Sequence, residues 1–361
     1  MCNTKARAKI FKQPHESFGH LEIEIPEPDN EEIIVQITYT TICTSDLHTY
    51  YGRRKSPSPG ILGHEIIGKI VKLGQHIHSD YNGEKITTGD LITWSVYAFD
   101  PDNLQAKRGI PQKSPGLFKY GHQTILNDSP LSGGFATHCV LKKGSSVFKL
   151  STELLPSEAA PLNCTHATVA GALRLAGDID NKNVMVFGAG MLGLSACAMS
   201  KERGAKNVYA ADINPERLST AKKFGTSETF IASLSKTEII ENLNGEDIDI
   251  VIDTTGNPEA MALGINLLTL GGVAVWVGAV YNAPKTQIDA ETIVRNILSV
   301  KGLHNYTPQD LATAIEFMNS CHKKYPFKEL VGKEYSLCEL DTAFKTANTG
   351  IHHRVGINQN L

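Results

Sequence analysis

Three side chains that bind soft metals stand in three separate stretches of the sequence. Cys43 lies in TICTSDLH, His64 in GHE and Cys164 in NCTHAT. Two thiolates and a neutral imidazole suit a tetrahedral zinc ion and leave one position open for a further ligand. A Lewis acid with an open position lowers the pKa of a hydroxyl that binds there. Taken singly, each cysteine also fits a small buried core residue, so the pattern alone leaves both interpretations open.

Polar residues close to Cys43 could serve such a metal. Ser45 and His48 are near enough in the sequence to relay a proton from a bound hydroxyl to water. A metal-bound histidine usually donates its second ring N–H to a partner such as a carboxylate, which fixes the orientation of the ring. Asp46 is placed to be that carboxylate. The stretch therefore predicts a ligand, a group that orients another ligand, and a proton path.

A glycine-rich stretch predicts a dinucleotide site. It follows an apolar strand, opens a helix and fits G-x-G-x-x-G with Gly188, Ala189, Gly190, Met191, Leu192 and Gly193. The glycines allow a tight turn, close approach of the backbone to a pyrophosphate and close helix packing. Asp212, at the end of the next predicted strand, would accept the ribose hydroxyls and repel a 2′-phosphate, which favours NAD over NADP. The alternative is a glycine-rich turn that binds nothing, and Asp212 argues against it.

The elements around these motifs change character along the chain. Short β-type runs fill the first half, with strands predicted at 21–25, 32–39, 66–73, 90–95 and 136–140. Helices then alternate with strands, with helices predicted at 157–175, at 191–203 and after an Asn214-Pro215 cap, and strands at 184–187, 208–212, 248–253 and 272–280. Such alternation predicts a parallel sheet covered on both faces. The C-terminal part is mixed again, with a helix near 309–319 and a strand near 354–357.

Length and composition exclude several classes of protein. With 361 residues the chain is long enough for two domains of ordinary size. A net charge of −3 provides no basic surface for nucleic acid. We also expect no membrane segment, since no apolar run is long enough. The 7 scattered cysteines argue against a disulfide framework, so we expect a cytoplasmic location.

Together these residues resemble the medium-chain zinc-dependent alcohol dehydrogenase family, in which a Cys₂His zinc site is characteristic. The resemblance implies an α/β chain with a GroES-like β-rich catalytic domain, 1–164 with 304–361 returning to it, and a Rossmann NAD-binding domain, 165–303. It implies one catalytic Zn²⁺, held by Cys43, His64 and Cys164, with Glu65 as a nearby carboxylate and Ser45 and His48 as the relay. It also implies contacts with the cofactor: Thr168 would pack on the nicotinamide, Arg217 would contact the adenosine ribose, and Arg354 would lie near the pyrophosphate. The backbone of Val277, Gly278 and Ala279 would hold the carboxamide. The partner would be a small alcohol or aldehyde, and the protein a homo-oligomer, a dimer or a tetramer.

A narrower resemblance concerns the substrate. WSVYA at 94–98, GIPQK at 109–113, KYGH at 119–122 and PLSGG at 130–134 are similar to alcohol dehydrogenases associated with phosphonate catabolism. It implies a small hydroxyalkylphosphonate as substrate. The cations that could bind its anionic group are Arg53, Arg54, Lys55 and His166.

The chain also departs from the family in one lobe. Many members hold a second, structural zinc there with four cysteines, whose positions correspond to Asp100, Asn103, Ala106 and Ser114. Without a thiolate, the lobe is expected to hold no zinc.

Other functions stay open on the sequence alone. A polyol or amino-alcohol dehydrogenase of the same family would have the same motifs. A zinc-free reductase of the quinone or enone type would lack the ligands at Cys43 and Cys164, which this chain has. A cofactor-binding regulatory protein would need the glycine turn and Asp212 but not the full set of ligands and relay residues.

Overall fold

Two units with separate cores make up the chain. The computed structural model describes residues 5–125, 130–233 and 235–361. The first unit comprises Met1–Cys164, Thr307–His322 and Phe327–Leu361, and the second comprises Thr165–Tyr306 and Lys323–Pro326. The chain passes into the second unit after Cys164 and returns to the first at Thr307, and the predicted domain bounds stay a prediction.

The strands are numbered in chain order. They are β1 (Lys5–Ile10), β2 (Gly19–Glu24), β3 (Ile33–Thr41), β4 (Glu65–Leu73), β5 (Leu91–Ala98), β6 (Phe118–Lys119), β7 (His138–Leu141), β8 (Ser145–Lys149), β9 (Asn183–Phe187), β10 (Asn207–Asp212), β11 (Glu228–Ile231), β12 (Ile248–Asp253), β13 (Leu268–Trp276), β14 (Ser299–Gly302), β15 (Val331–Tyr335) and β16 (Arg354–Asn358).

The α-helices are numbered in the same way. They are α1 (Thr44–Tyr50), α2 (Leu104–Lys107), α3 (Pro156–Ala159), α4 (Thr165–Ala176), α5 (Met191–Glu202), α6 (Pro215–Ala221), α7 (Lys236–Asn242), α8 (Pro258–Leu267), α9 (Ala290–Arg295), α10 (Pro308–Cys321) and α11 (Leu340–Asn348). Short 3₁₀ turns lie at Pro111–Lys113, Ala160–Asn163, Lys222–Phe224, Phe327–Leu330 and Leu337–Glu339.

The first unit is built on a mixed eight-stranded sheet. Its strand order is β15-β16-β3-β4-β5-β6, with β7 paired to β3 and β8 to β5, while β1 and β2 form a separate antiparallel pair. In this sheet Thr41 of β3 lies opposite Glu65 of β4 on one side and Gly356 of β16 on the other. The C-terminal strand therefore reaches the part of the sheet from which the metal-binding motifs emerge.

An aromatic cluster forms part of the core of this unit. Phe18 stacks on Tyr50 with ring centroids 5.1 Å apart, and Phe344 of α11 lies 4.9 Å from Phe18 and 5.0 Å from Tyr50. Phe135 packs edge-on against Phe344 at 5.5 Å. Because Tyr50 ends α1, the cluster fixes the helix that begins directly after Cys43.

The second unit is a doubly wound sheet. Its six strands are all parallel, in the order β11-β10-β9-β12-β13-β14. The chain runs outwards from β9 in both directions, so the switch point lies at the carboxyl end of β9, where open α/β sheets bind their ligands. The glycine-rich turn begins there, at Gly188. This arrangement confirms the predicted Rossmann-type sheet and, with the β-rich first unit, the predicted fold class.

One predicted helix is wrong. Residues 157–175 form α3, a 3₁₀ turn and α4 rather than a single helix, and Cys164 interrupts them with φ −133° and ψ −76°. Pro161 lies in the turn and lacks an N–H for a continuous α-helical ladder. The break has a consequence for the metal ligands, because Cys164 stands at a helix start rather than inside a helix.

One predicted strand ends early, since β13 stops at Trp276 and residues 277–280 leave the sheet. Among the described residues, no helix is both long enough and apolar enough to cross a membrane.

Candidate metal centre and cofactor site

The three predicted metal ligands come together in the first unit. Cys43 caps the start of α1, His64 directly precedes β4, and Cys164 directly precedes α4. One potential ligand atom from each of these side chains lies within 4.8 Å of those from the other two. A tetrahedral zinc ion with Zn–S bonds near 2.3 Å places its sulfurs about 3.8 Å apart. The donor set and its spacing therefore fit a zinc ion, and Cys43 and His64 are buried at 6% and 5% exposure.

Asp46 fixes two of the ligands. Its carboxylate is fully buried and accepts the backbone N–H of Cys43 at 3.0 Å and that of Gly63 at 3.3 Å. It also lies 3.2 Å from Nδ1 of His64. A carboxylate at Nδ1 keeps the proton on that nitrogen and leaves Nε2 for a metal, as predicted from the motif. Ser45 Oγ is 3.3 Å from this Nε2, so its hydroxyl lies on the metal side of the ring.

The charges of the ligands depend on one another. Contact with Cys164 and the positive charge of Arg354 lower the pKa of Cys43 well below its ordinary value, against the effect of burial. The same sulfur contact, together with burial, raises the pKa of Cys164 well above its ordinary value. A zinc ion bound by both sulfurs would hold both as thiolates.

Arg354 and Glu65 form a buried ion pair beside the ligands. Arg354 Nε lies 2.8 Å from Glu65 Oε2 and Nη2 lies 2.9 Å from Oε1, so the pair is bidentate. Arg354 Nη2 is also 3.7 Å from Cys43 Sγ, and Thr41 Oγ1 donates to the same carboxylate. Burial opposes the charge on Arg354, but Glu65 and Cys43 raise its pKa above the ordinary value.

This placement changes the interpretation of Arg354. The family resemblance implied a contact with the cofactor pyrophosphate. In the structure Arg354 is 4% exposed, and its guanidinium donates hydrogen bonds to Glu65, to Cys43 and to the carbonyl of His353. These contacts assign it to the metal site, and they explain why Glu65 can be buried without being a ligand. A contact with pyrophosphate stays a prediction.

The predicted relay residues lie on one face of α1. Ser45 and His48 are three residues apart, which places them on neighbouring positions of the helix surface. Burial and the charge of Arg53 lower the pKa of His48, which favours the neutral ring that can accept a proton. The carbonyl of His48 accepts the backbone N–H groups of Arg53 and Arg54 at 2.8 and 3.0 Å, which brings both arginines to the end of the relay helix.

Sequence reasoning missed His122, which lies directly beside a ligand. Its ring centroid is 5.2 Å from that of His64, with the ring planes tilted by 34°. Gly121 allows this approach: its φ is +75°, and a Cβ there would lie 2.5 Å from the carbonyl oxygen of Gly63. In the sequence KYGH at 119–122 is similar to a family motif, but no spacing rule connects it with GHE, so the contact could not be predicted.

The glycine turn of the second unit has the geometry of a phosphate-binding turn. Gly188 has φ +93°, and a Cβ on Gly193 would lie 1.6 Å from the carbonyl oxygen of Gly188. A Cβ on Gly190 would meet no atom within 4 Å, so the space above this residue is open for a ligand. Gly190 caps α5, which begins at Met191 and continues through Leu192. These glycines fit the pyrophosphate of a dinucleotide at a helix N-terminus.

Asp212 ends β10 beside this turn. It is 7% exposed, and its carboxylate accepts the N–H of Ala189 at 2.6 Å and that of Asn214 at 2.8 Å. Each oxygen retains a further lone pair for a ribose hydroxyl. Arg217 follows in the first turn of α6, after the Asn214 cap.

The other predicted cofactor residues are also in the second unit. Thr168 is half-buried in the first turn of α4. Val277 and Gly278 donate their N–H groups to the carbonyl of Asp253 at 2.9 and 3.2 Å, and Ala279 is exposed. The structure therefore places these residues at the carboxyl edge of the sheet or on a helix beside it, and their contacts with cofactor stay a prediction.

Hydrogen bonds within the lobe at 100–115 involve two of the four positions that carry cysteines in many family members. Asp100 accepts the N–H of Asp102, and Asn103 caps α2 by accepting the N–H of Gln105. Ser114 is buried, and Ala106 lies within α2. Among the described residues, the only group of three or more His, Cys, Asp and Glu side chains close enough to bind a metal ion is Cys43, His64 and Cys164.

Replacing Arg354 should be far more harmful than replacing an exposed arginine. Arg354→Met leaves the Glu65 carboxylate buried without its counter-charge, which costs about 3–5 kcal/mol. We expect a large fall in the midpoint of thermal unfolding, and recovery of most of it in the double variant Glu65→Met/Arg354→Met. Arg295→Met is the control, because Arg295 and Glu291 pair at side-chain exposures of 75% and 68%. A double variant as unstable as Arg354→Met would contradict this account.

Comparison with known proteins agrees with the two units. The family model described as "Alcohol dehydrogenase GroES-like domain" matches residues 29–152, and that described as "Zinc-binding dehydrogenase" matches residues 192–320. The sorbitol dehydrogenase of Halalkalibacterium halodurans is 29% identical over 355 residues, with 95% of this chain and 96% of that protein covered.

Solved structures share the fold over almost the whole chain. An alcohol dehydrogenase from Thermotoga maritima has a TM-score of 0.91 at 24% identity, covering 98% of this chain and 99% of that chain. An alcohol dehydrogenase from E. coli CFT073, solved with NADH, has a TM-score of 0.85 at 20% identity and covers 99% and 100%. With the Cys43, His64 and Cys164 cluster in place for a catalytic zinc, the chain belongs to the medium-chain zinc-dependent alcohol dehydrogenases, nicotinamide-dependent oxidoreductases that act on a CH–OH group.

Proposed function

We propose that this enzyme oxidises the hydroxyl of a small polar alcohol with NAD, or reduces the matching carbonyl compound with NADH. The observation that carries this proposal is the Cys43, His64 and Cys164 cluster with Ser45 Oγ 3.3 Å from His64 Nε2. A zinc ion held there supplies a Lewis acid that lowers the pKa of the substrate hydroxyl. A zinc-free reductase or a purely regulatory protein would have no use for this combination of ligands and hydroxyl.

The chain's own residues then handle the proton. Ser45 Oγ is placed to accept it from the substrate hydroxyl, and His48, one helical turn along α1, is the neutral base that passes it to solvent. Asp46 keeps the His64 ring in one orientation throughout, since its carboxylate is also held by two backbone N–H groups. Glu65 and Arg354 hold a fixed pair of charges next to Cys43.

The preferred cofactor follows from Asp212. We expect a higher kcat/KM with NAD than with NADP, because a buried carboxylate repels a 2′-phosphate. In Asp212→Gly the kcat/KM for NAD should fall by about 10–100-fold, as expected for lost hydrogen bonds to a charged group. The ratio of kcat/KM for NAD to kcat/KM for NADP should fall accordingly.

Asp212→Asn serves as the control for this experiment, because it retains a hydrogen-bond acceptor without the charge. Binding of both cofactors should be measured alongside kinetics, since Asp212 also holds Ala189 and Asn214. A wild-type enzyme that prefers NADP would refute the assignment.

For the substrate we propose a small hydroxyalkylphosphonate, and two features support an anionic group. Arg53 and Arg54 follow the relay helix directly, and in the part of the chain that the structure describes neither forms an ion pair with a carboxylate. Ser56 Oγ, two residues further on, is buried and has no hydrogen-bond partner among the residues that the structure describes. Guanidinium groups and hydroxyls are the donors that phosphonate oxygens require. His166 suits this role less well than the arginines, because it is fully buried and its Nδ1 lies 2.9 Å from Ser195 Oγ.

A polyol is the second candidate substrate, and an amino alcohol is a related one. The similarity to a sorbitol dehydrogenase over 95% of the chain favours a polyol. Such a substrate would bind through its further hydroxyls and would not require the arginines.

A variant at Arg54 distinguishes these substrates. If the substrate is anionic, Arg54→Met should raise KM for 2-hydroxyethylphosphonate by tenfold or more and change KM for a neutral alcohol of equal length less than twofold. Arg295→Met is the control, because Arg295 is an exposed arginine that pairs with Glu291 and is not a candidate for binding the anionic group. A screen in which sorbitol or a simple alcohol exceeds every phosphonate in kcat/KM would decide against the phosphonate.

We further propose that the enzyme is a homo-oligomer, a dimer or a tetramer. Support comes from the outer strand β14 and its surroundings, where Leu270, Val294 and Ile297 are 73%, 76% and 77% exposed. Exposed apolar side chains beside an unpaired strand edge favour association. Light scattering on the eluted protein should give at least twice the chain mass, and Val294→Glu should lower it. A monomer in the wild type would overturn this proposal.

We also propose a cytoplasmic location. The six cysteines in the described part of the chain are all free thiols, which suits a reducing compartment.

A further inference from the structure

A corner formed by residues 253–256 lies between the two backbone segments proposed to hold the cofactor. Asp253, the last residue of β12, lies opposite Phe187 of β9 on one side and Trp276 of β13 on the other. The glycine turn at 188–193 follows Phe187, and the segment 277–279 follows Trp276. The corner is therefore placed to set the distance between the two segments.

Thr254 binds the glycine-turn side. Its backbone N–H donates to the carbonyl of Phe187 at 3.0 Å, and its hydroxyl donates to the same carbonyl at 2.8 Å. The hydroxyl oxygen is also 3.4 Å from the carbonyl oxygen of Gly188. A Cβ on Gly188 would lie 2.6 Å from this hydroxyl oxygen, so Thr254 occupies the space that the glycine leaves.

Asp253 binds the opposite side. Its carbonyl accepts the N–H groups of Val277 and Gly278, while its carboxylate accepts the N–H of Gly256 and the hydroxyl of Thr255, both at 2.8 Å. Gly256 has φ +66°, and a Cβ on it would lie 2.5 Å from the carbonyl oxygen of Gly278. Because the two backbones are this close, the position of Gly278 depends on that of Gly256.

Holding the turn with the Asp253 carboxylate has a free-energy cost. It is fully buried, and in the described part of the chain it has no ion pair with a cation, only hydrogen bonds from uncharged donors. Burying an unpaired carboxylate is unfavourable unless its hydrogen bonds are well made. The arrangement is therefore better explained by a requirement for geometry than by a contribution to stability.

We propose that Asp253 and Thr254 are positioning residues for the cofactor: Thr254 fixes the pyrophosphate turn, and Asp253 fixes segment 277–279 relative to it. The proposal rests on the NAD-dependent function and on the assignment of Val277–Ala279 to the carboxamide. A dinucleotide bound at both ends has its nicotinamide ring placed by the separation of those ends. Loss of Asp253 should then affect the nicotinamide half alone, whereas loss of the Thr254 hydroxyl should affect the pyrophosphate.

Binding of NADH and of ADP-ribose to the purified enzyme tests this. ADP-ribose has the same pyrophosphate but no nicotinamide. In Asp253→Asn and in Thr255→Val, which removes one hydrogen bond from the carboxylate, Kd for NADH should rise tenfold or more while Kd for ADP-ribose stays within twofold. In Thr254→Val both dissociation constants should rise by similar factors.

Thr255→Ser and Thr254→Ser are the controls, because they retain the hydroxyls and should restore both affinities. In a general structural defect, Asp253→Asn and Thr255→Val would have a lower unfolding midpoint and would bind NADH and ADP-ribose equally weakly. That result would overturn the proposal, and so would unchanged NADH binding in both variants. The wild type separately tests the underlying assignment: if it binds ADP-ribose as tightly as NADH, segment 277–279 does not hold the carboxamide and the proposal fails with it.

Discussion

The buried pair of Glu65 and Arg354 is the interaction on which the metal site depends. Cys43 and Asp46 are buried and Cys164 is half-buried, and all three bring negative charge, or can do so, into one region of the first unit. Burying the negative charge of Glu65 in the same region would be strongly unfavourable in free energy without a cation of fixed position. Arg354 supplies that cation with a bidentate contact, and its second contact, to Cys43 Sγ, favours the thiolate that a metal requires.

The same pair connects distant parts of the chain. Arg354 begins the C-terminal strand β16, Glu65 begins β4, and both strands pair with β3 next to Thr41. The C-terminal strand is thus a structural component of the metal site. In the second unit, strand pairing also brings distant residues together, at the carboxyl edge of the parallel sheet. The neighbouring strands β10, β9 and β12 end there in Asp212, the glycine turn and the 253–256 corner.

Local sequence was sufficient for the ligands and for the dinucleotide turn, because each depends on a short motif whose geometry is fixed within a few residues. The role of Asp46 could also be predicted, since it lies three residues after Cys43 in the first turn of α1. The partner of Arg354 could not, because it is 289 residues away and is selected by strand pairing. The helix predicted at 157–175 is wrong because the prediction relied on the helix-favouring composition of the stretch. It did not allow for the break that Pro161 introduces before Cys164. His122 and Asp253 were missed because their importance lies in what packs against them.

The most direct test of this account is to measure the metal content of the purified enzyme together with X-ray absorption at the zinc edge. We predict one zinc per chain, with two sulfur ligands near 2.3 Å and the remainder nitrogen or oxygen. The two-sulfur signature should be lost in Cys43→Ser. Two tightly bound zinc ions per chain, or a single zinc with no sulfur in its coordination shell, would contradict the assignment of Cys43, His64 and Cys164 as the sole and catalytic metal site.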